Sequence, residues 1–332
     1  MTAATGASET SETSRHAHAP IMSDPDLARE GDDLVRLSND AMRARRRPGA
    51  ILAVWAYEGA LALLIAWPIA AVVRAAYGGH PRGDAPLWTP GGEELLDLLM
   101  HARAAVPAVI AITSFVALLS VFLGLVPAGS LLASIGFATR ERRGPSMRQA
   151  IARAVRAFSA MALVLIVTLL TEGLILLVGG ACMGATTSAL TERLGEARAD
   201  QIGWLLFFLF VLPAVSGGVL RDLSFAAVIR FRLGASGALR VGVKTLRRSV
   251  ASILWSWAWR ALAGLIPVAI GSLVAEKIGG RGGAALFGLA AIHQAVVVVR
   301  VALRASWLAK AMRTVDAANR AVTPLASPAR DD

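Results

Sequence analysis

The chain has 332 residues, 55% of them apolar and 17% charged, with a mean hydropathy of +0.58. Soluble domains run near a quarter charged and under half apolar, so an ordinary soluble enzyme and a disordered chain are both excluded. The 34 Lys and Arg against 23 Asp and Glu leave a net charge of +11, nearly all of it Arg. In so apolar a chain this surplus points to loops held on one face of a bilayer rather than to a nucleic-acid surface.

In chain order, residues 1–22 are rich in Thr, Ser, Ala and His without an apolar run, and read as a disordered tail rather than a cleavable signal peptide. Residues 23–48 read as a cytoplasmic amphipathic helix, striped by Leu27, Leu34 and Ala41 and ending in Arg45, Arg46 and Arg47. A helix needs about 20 apolar residues to cross a hydrocarbon core. Six segments qualify: 49–73, 104–139, 159–180, 201–220, 249–275 and 282–299. They give an all-α polytopic membrane bundle over residues 49–310, followed by a cytoplasmic tail, 311–332. The second stretch would make about 54 Å of straight helix, so a break is expected near Gly124, Pro127 and Gly129. Pro68, Pro213 and Pro267 should perturb the first, fourth and fifth spans.

Orientation follows from the loops. Four basic residues precede span one (Arg43 to Arg47), six lie between spans two and three, seven between four and five, and six from Arg300 onward. The other three loops share seven. The bias has one sign at every loop, so both termini are expected in the cytoplasm.

Two of the basic loops carry stripes. Met147, Ile151, Val155 and Phe158 recur at helical spacing with Arg148, Arg153 and Arg156 elsewhere. Leu239, Val243, Leu246 and Val250 repeat the pattern opposite Arg240, Lys244, Arg247 and Arg248. Each is expected to be an interfacial elbow helix that turns into the next span, either gripping anionic headgroups or simply anchoring topology. The unit of elbow, span, outer loop and span occurs three times. Ile51-Leu52 and Trp55-Ala56-Tyr57-Glu58 meet Ile253-Leu254 and Trp257-Ala258-Trp259-Arg260 at a constant shift of 202, which suggests three two-helix repeats. The first outer loop, around Trp88, reads as a turn followed by a short interfacial helix. The second, with Glu192, Arg193, Glu196, Arg198 and Asp200, reads as a solvated helical turn.

Ionisable residues inside spans are site candidates. Glu58 and Arg260 lie at matched depth and are expected to pair. Glu172 has no obvious Arg at its depth; His293, beside Gln294, could meet it. Arg221 and Asp222 read as interface markers. The single Cys182 closes no intrachain disulfide, and no Cys/His spacing, phosphate loop or His-Glu-x-x-His helix is present. No cofactor or metal is therefore expected.

Ala214-Val215-Ser216-Gly217 in span four and His293 in span six resemble the serine–histidine dyad of rhomboid intramembrane proteases, which also have six core spans. The likeness implies Ser216 as nucleophile and His293 as base. It departs from that family in Ala214 for the first glycine, in Ala295 to Val299 where small residues follow the histidine, and in a second span without polar residues. Ser216, Gly217 and Gly218 equally allow close helix approach.

The leading expectation is a non-enzymatic multi-pass protein of a bacterial inner membrane, with lipid headgroups as its partners and no nucleic acid. The alternatives are a small-solute or lipid transporter using Glu58, Glu172, Arg260 and His293, and the protease.

Overall fold

The computed structural model describes residues 42–77, 79, 100, 103–104, 106–137, 145–278 and 284–320. The tail 1–22, residues 23–41 of the expected 23–48 helix, the interfacial helix near Trp88 and residues 321–332 lie outside the described residues. Among those described there is no strand.

A single 3-10 turn, Ala44–Arg46, leads into α1 (Pro48–Tyr77). There follow α2 (Val106–Leu123), α3 (Leu125–Gly136), α4 (Met147–Leu194), α5 (Glu196–Phe231), α6 (Ala235–Arg248), α7 (Val250–Ile278) and α8 (Ala284–Arg320). Six of these units are long and apolar enough to cross a membrane, α2 and α3 counting as one. The chain is thus an all-α multi-pass helical bundle.

The expected break in the second span falls at Gly124. Pro127 has no N–H to donate to the Leu123 carbonyl, so the helix ends there and restarts one residue on. Gly124 itself keeps near-helical angles, φ −61° and ψ −17°, and a Cβ there would lie 3.0 Å from the Ser120 carbonyl oxygen. Pro68, Pro213 and Pro267 do not end their helices; α1, α5 and α7 run through them.

The two expected elbows differ. Residues 235–248 form a separate helix, α6, that stops at Ser249 before α7 begins. Residues 147–158 are helical but make no elbow; they are the first turns of α4, a continuous helix of 48 residues. At 1.5 Å per residue it is about 72 Å long, more than twice a hydrocarbon core. Its start is fixed by a capping box in which Ser146 Oγ accepts from the Gln149 amide and Gln149 Oε1 accepts from the Ser146 amide. No residue between Phe158 and the apolar run breaks the helix, so no turn forms.

Helices α4 and α5 make an antiparallel hairpin whose turn is Gly195, at φ 79° and ψ 157°, a conformation open in practice only to glycine. Small residues knit the hairpin at matched distances from that turn. A Cβ on Gly203 would sit 2.5 Å from Thr187 Oγ1, one on Gly179 2.7 Å from Phe210 Cβ, and one on Gly217 2.8 Å from Glu172 Cγ. This is the close backbone approach that small residues allow between membrane helices.

The packed core gathers at the end of the bundle that carries the basic loops, here the basic end. It comprises most of α3, the first half of α4, the last half of α5, the inner face of α6 and the last half of α8. The heptad-spaced stripe Val301, Ala305, Leu308, Met312 and Val315 is buried, and α8 runs on to Arg320. The shift of 202 that aligns the Trp55 and Trp257 segments also aligns the starts of α1 and α7, Pro48 and Val250.

Candidate functional site

A chain of charged side chains crosses the bundle, buried at its centre and exposed at Glu58, Arg300 and Arg304. Its centre is Asp222 on α5, whose side chain is 1% exposed. Asp222 Oδ1 accepts from Arg304 Nη2 and Oδ2 from Trp307 Nε1, each at 2.7 Å. Both donors stand on one face of α8, three residues apart. Buried this way, the carboxylate has both oxygens satisfied and pins α5 to α8, a tie whose loss is costly in a low-dielectric interior.

On one side of Asp222 lies Glu172 of α4, seated on Gly217 of α5. Arg221 Nη1 stands 3.6 Å from Glu172 Oε1, an ion pair without a direct hydrogen bond. The Arg at its depth therefore comes from the next span. On the other side, Arg304 and Arg300 of α8 face Glu58 of α1 electrostatically, and all three line one cleft with Gly59 and Gln294. Across α8 a second groove is lined by Arg260 of α7 together with the same Arg300 and Arg304.

The expected Glu58–Arg260 pair does not form. The Arg260 guanidinium donates from Nε to Ser306 Oγ at 3.2 Å and from Nη1 to the Ser256 hydroxyl and carbonyl, and it lies 4.6 Å from the Trp259 ring centroid. Glu58 faces arginines of α8 instead. His293 does not meet Glu172: its Nδ1 is 3.1 Å from the Leu289 carbonyl of its own helix. Ser216 Oγ donates back to the Leu212 carbonyl at 2.9 Å. Each partner of the rhomboid-like dyad is thus engaged with its own helix, and Gly217 serves as the seat of Glu172. Gln294, beside His293, accepts from Trp55 Nε1 at 3.0 Å and ties α8 to α1.

A second polar knot closes the basic end. Arg230 Nε donates to Asp316 Oδ1 at 3.0 Å, and its Nη1 donates to the Gly136 carbonyl at the end of α3. Arg153 lies 3.9 Å over the Phe137 ring, with Arg230 6.0 Å from the same ring. Arg153, expected at the headgroups, is thus turned onto the core, whereas Arg148 and Arg156 are exposed on α4. On α6, Arg240, Lys244, Arg247 and Arg248 are all exposed, and Arg248 Nη1 donates to the Ala318 carbonyl.

From sequence alone Asp222 reads as an interface marker, and Arg300, Arg304 and Asp316 carry no site signal. The pattern that marks this region is the heptad stripe from Val301 to Val315, which announces a buried face running past the last apolar span and into what reads as a tail. Among the described residues no group of three His, Cys, Asp or Glu side chains is placed to hold a metal.

Six spans gathered on one packed, charged end define a multi-pass helical membrane protein. No protein-family model, no curated protein and no solved structure matches this chain.

Proposed function

We propose that this is a non-enzymatic protein of a bacterial inner membrane, with its basic end and both termini in the cytoplasm, whose helix α6 holds anionic lipid headgroups. One observation carries the reading. Helix α6 buries Ala238, Gly242 and Thr245 against the core and leaves Arg240, Lys244, Arg247 and Arg248 exposed. Leu239 and Val243 lie among those basic residues in one shallow surface depression. A rigid helix with an apolar strip between basic side chains suits the headgroup layer, where each basic residue contributes about 1 kcal/mol toward an anionic surface. The exposed Arg148 and Arg156 add to the positive surface of this end.

The test uses the full chain in lipid nanodiscs. Hydrogen exchange of the α6 amides should slow when phosphatidylglycerol replaces phosphatidylcholine. The Gln variant of Arg240, Lys244, Arg247 and Arg248 should lose that difference. Equal exchange in both lipids overturns the lipid role. Orientation is read in a Cys182→Ser background with an impermeant thiol reagent on intact cells. Glu196→Cys, beside the hairpin turn, should be labelled and Ser236→Cys should not; the reverse pattern overturns the orientation.

A further inference from the structure

The groove between α7 and α8 combines arginines with an apolar run. Its walls carry three arginines, Arg260 of α7 and, one helical turn apart, Arg300 and Arg304 of α8. From there it runs along Gly264, Leu265 and Val268 of α7, which are apolar and face no other helix closely; a Cβ on Gly264 would find only Leu303, at 3.8 Å. From the level of Arg260 to Val268 is about 12 Å of helix.

The protein satisfies these arginines only in part. Arg300 is exposed, and among the described residues it makes no hydrogen bond and no ion pair. Arg260 uses Nε and Nη1 and leaves Nη2 without a partner. It also lies within electrostatic reach of a further cation, Arg313. Arg304 gives one nitrogen to Asp222. The carboxylate that answers Arg300 and Arg304, Glu58, lies in the other cleft, on the α1 side of α8. Among the described residues no carboxylate lines the α7 side. An unpaired guanidinium in a membrane span is costly, and the groups that relieve it at this level are lipid phosphates. Arg300 stands sixteen residues into α8, about 24 Å from its start, which places it toward the basic end where headgroups lie. Arg260 is held in place by Ser256, Ser306 and the Trp259 ring, so little side-chain freedom remains to be lost on binding.

We propose that the α7–α8 groove binds one anionic phospholipid, its phosphate between Arg260 and Arg300 and an acyl chain along Gly264, Leu265 and Val268. The charge favours an anionic over a zwitterionic headgroup, and the apolar run favours a lipid over a free anion. The site is separate from the α6 surface and stands or falls independently of it.

Native mass spectrometry of the full-length protein, released from detergent and titrated with phosphatidylglycerol, tests the proposal. The wild type should retain one lipid that phosphatidylcholine does not replace. Arg300→Gln, which removes no hydrogen bond within the protein, should weaken retention about fivefold, and adding Arg260→Gln should weaken it about thirtyfold in all. Gly264→Leu should also lower retention, because it fills the groove and leaves the charge unchanged. The α6 Gln variant should keep this lipid. Equal retention by Arg300→Gln and wild type overturns the proposal, as does phosphatidylcholine retained as firmly as phosphatidylglycerol. Displacement of the lipid by millimolar inorganic phosphate makes the ligand a free anion and equally overturns it. Loss in the α6 variant but not in Arg300→Gln would assign the lipid to α6 and refute the groove.

Discussion

At the basic end, Leu132, Ala133, Ile135, Met161, Leu223 and Met312 are fully buried, whereas along the spans Leu63, Trp67, Leu170, Leu177 and Leu205 are at least two-thirds exposed. Helices α4 and α5 supply members of both sets. In water the second set would be a liability; in a bilayer, acyl chains are as apolar as leucine and little is gained by covering it. The packing of the bundle is therefore concentrated at the basic end, where polar pins and close glycine contacts add to apolar burial.

The sharpest way to break that contrast is at Asp222. Asp222→Ala strands Trp307 Nε1 and half-exposed Arg304, and should cost about 3 kcal/mol, the lower end for a broken buried pair. Asp222→Asn keeps an acceptor and should cost about 1 kcal/mol. Unfolding of the purified protein in mixed micelles measures both; a loss below about 0.5 kcal/mol for Asp222→Ala, the level of a neutral surface change, would remove Asp222 as the central tie.

A second comparison sets two glycines against each other. A Cβ at Gly242 would lie 2.5 Å from Ser224 Oγ, while Gly173 has nothing within 4 Å. Gly242→Ala should cost about 1–3 kcal/mol by overpacking, and Gly173→Ala should stay within about 0.5 kcal/mol. Equal effects would mean that the basic end yields as readily as the lipid-facing surface.

The smallest expected effect is a coupling. In double-mutant cycles Arg230 and Asp316, in direct contact, should couple by about 1 kcal/mol, and Glu58 and Arg260 by less than about 0.5 kcal/mol. Recovery of stability in Glu58→Gln/Arg260→Met would restore the pairing that sequence depth suggests.

The six spans were legible because an apolar run of bilayer length fits few settings except a bilayer, and the break at Gly124 because a glycine and a proline meet in a run too long for one crossing. Helix α6 was legible from its segregated faces; the break at Ser249 was not. The first turns of α4 show the same stripe, but a stripe reports a face and not a bend; with no breaker after Phe158, the helix continues. The charged centre was less legible. Glu58, Glu172 and Arg260 stood out as charges within apolar runs. Their neighbours in the charged chain, Arg221, Asp222, Arg300 and Arg304, lie at the ends of those runs, where charge looks like a boundary. Sequence depth matched Glu58 with Arg260, but rotation about each helix decides what a side chain meets, and α8 lies between them.

The one-residue turn at Gly195 bears on how the chain enters the bilayer. Between the apolar stretches of α4 and α5, the only segment that must be carried to the far side is the short polar stretch around Glu192 to Asp200. With so short a loop, the entropy lost in bringing the two helices together is small. The Gly179, Gly203 and Gly217 contacts can form as soon as α5 is synthesised. The hairpin can thus partition into lipid as a preassembled pair, with Glu172 already facing Arg221. Any side chain at position 195 would strain that turn, so its effect should show first in the yield of inserted protein and only secondarily in the stability of what has been inserted.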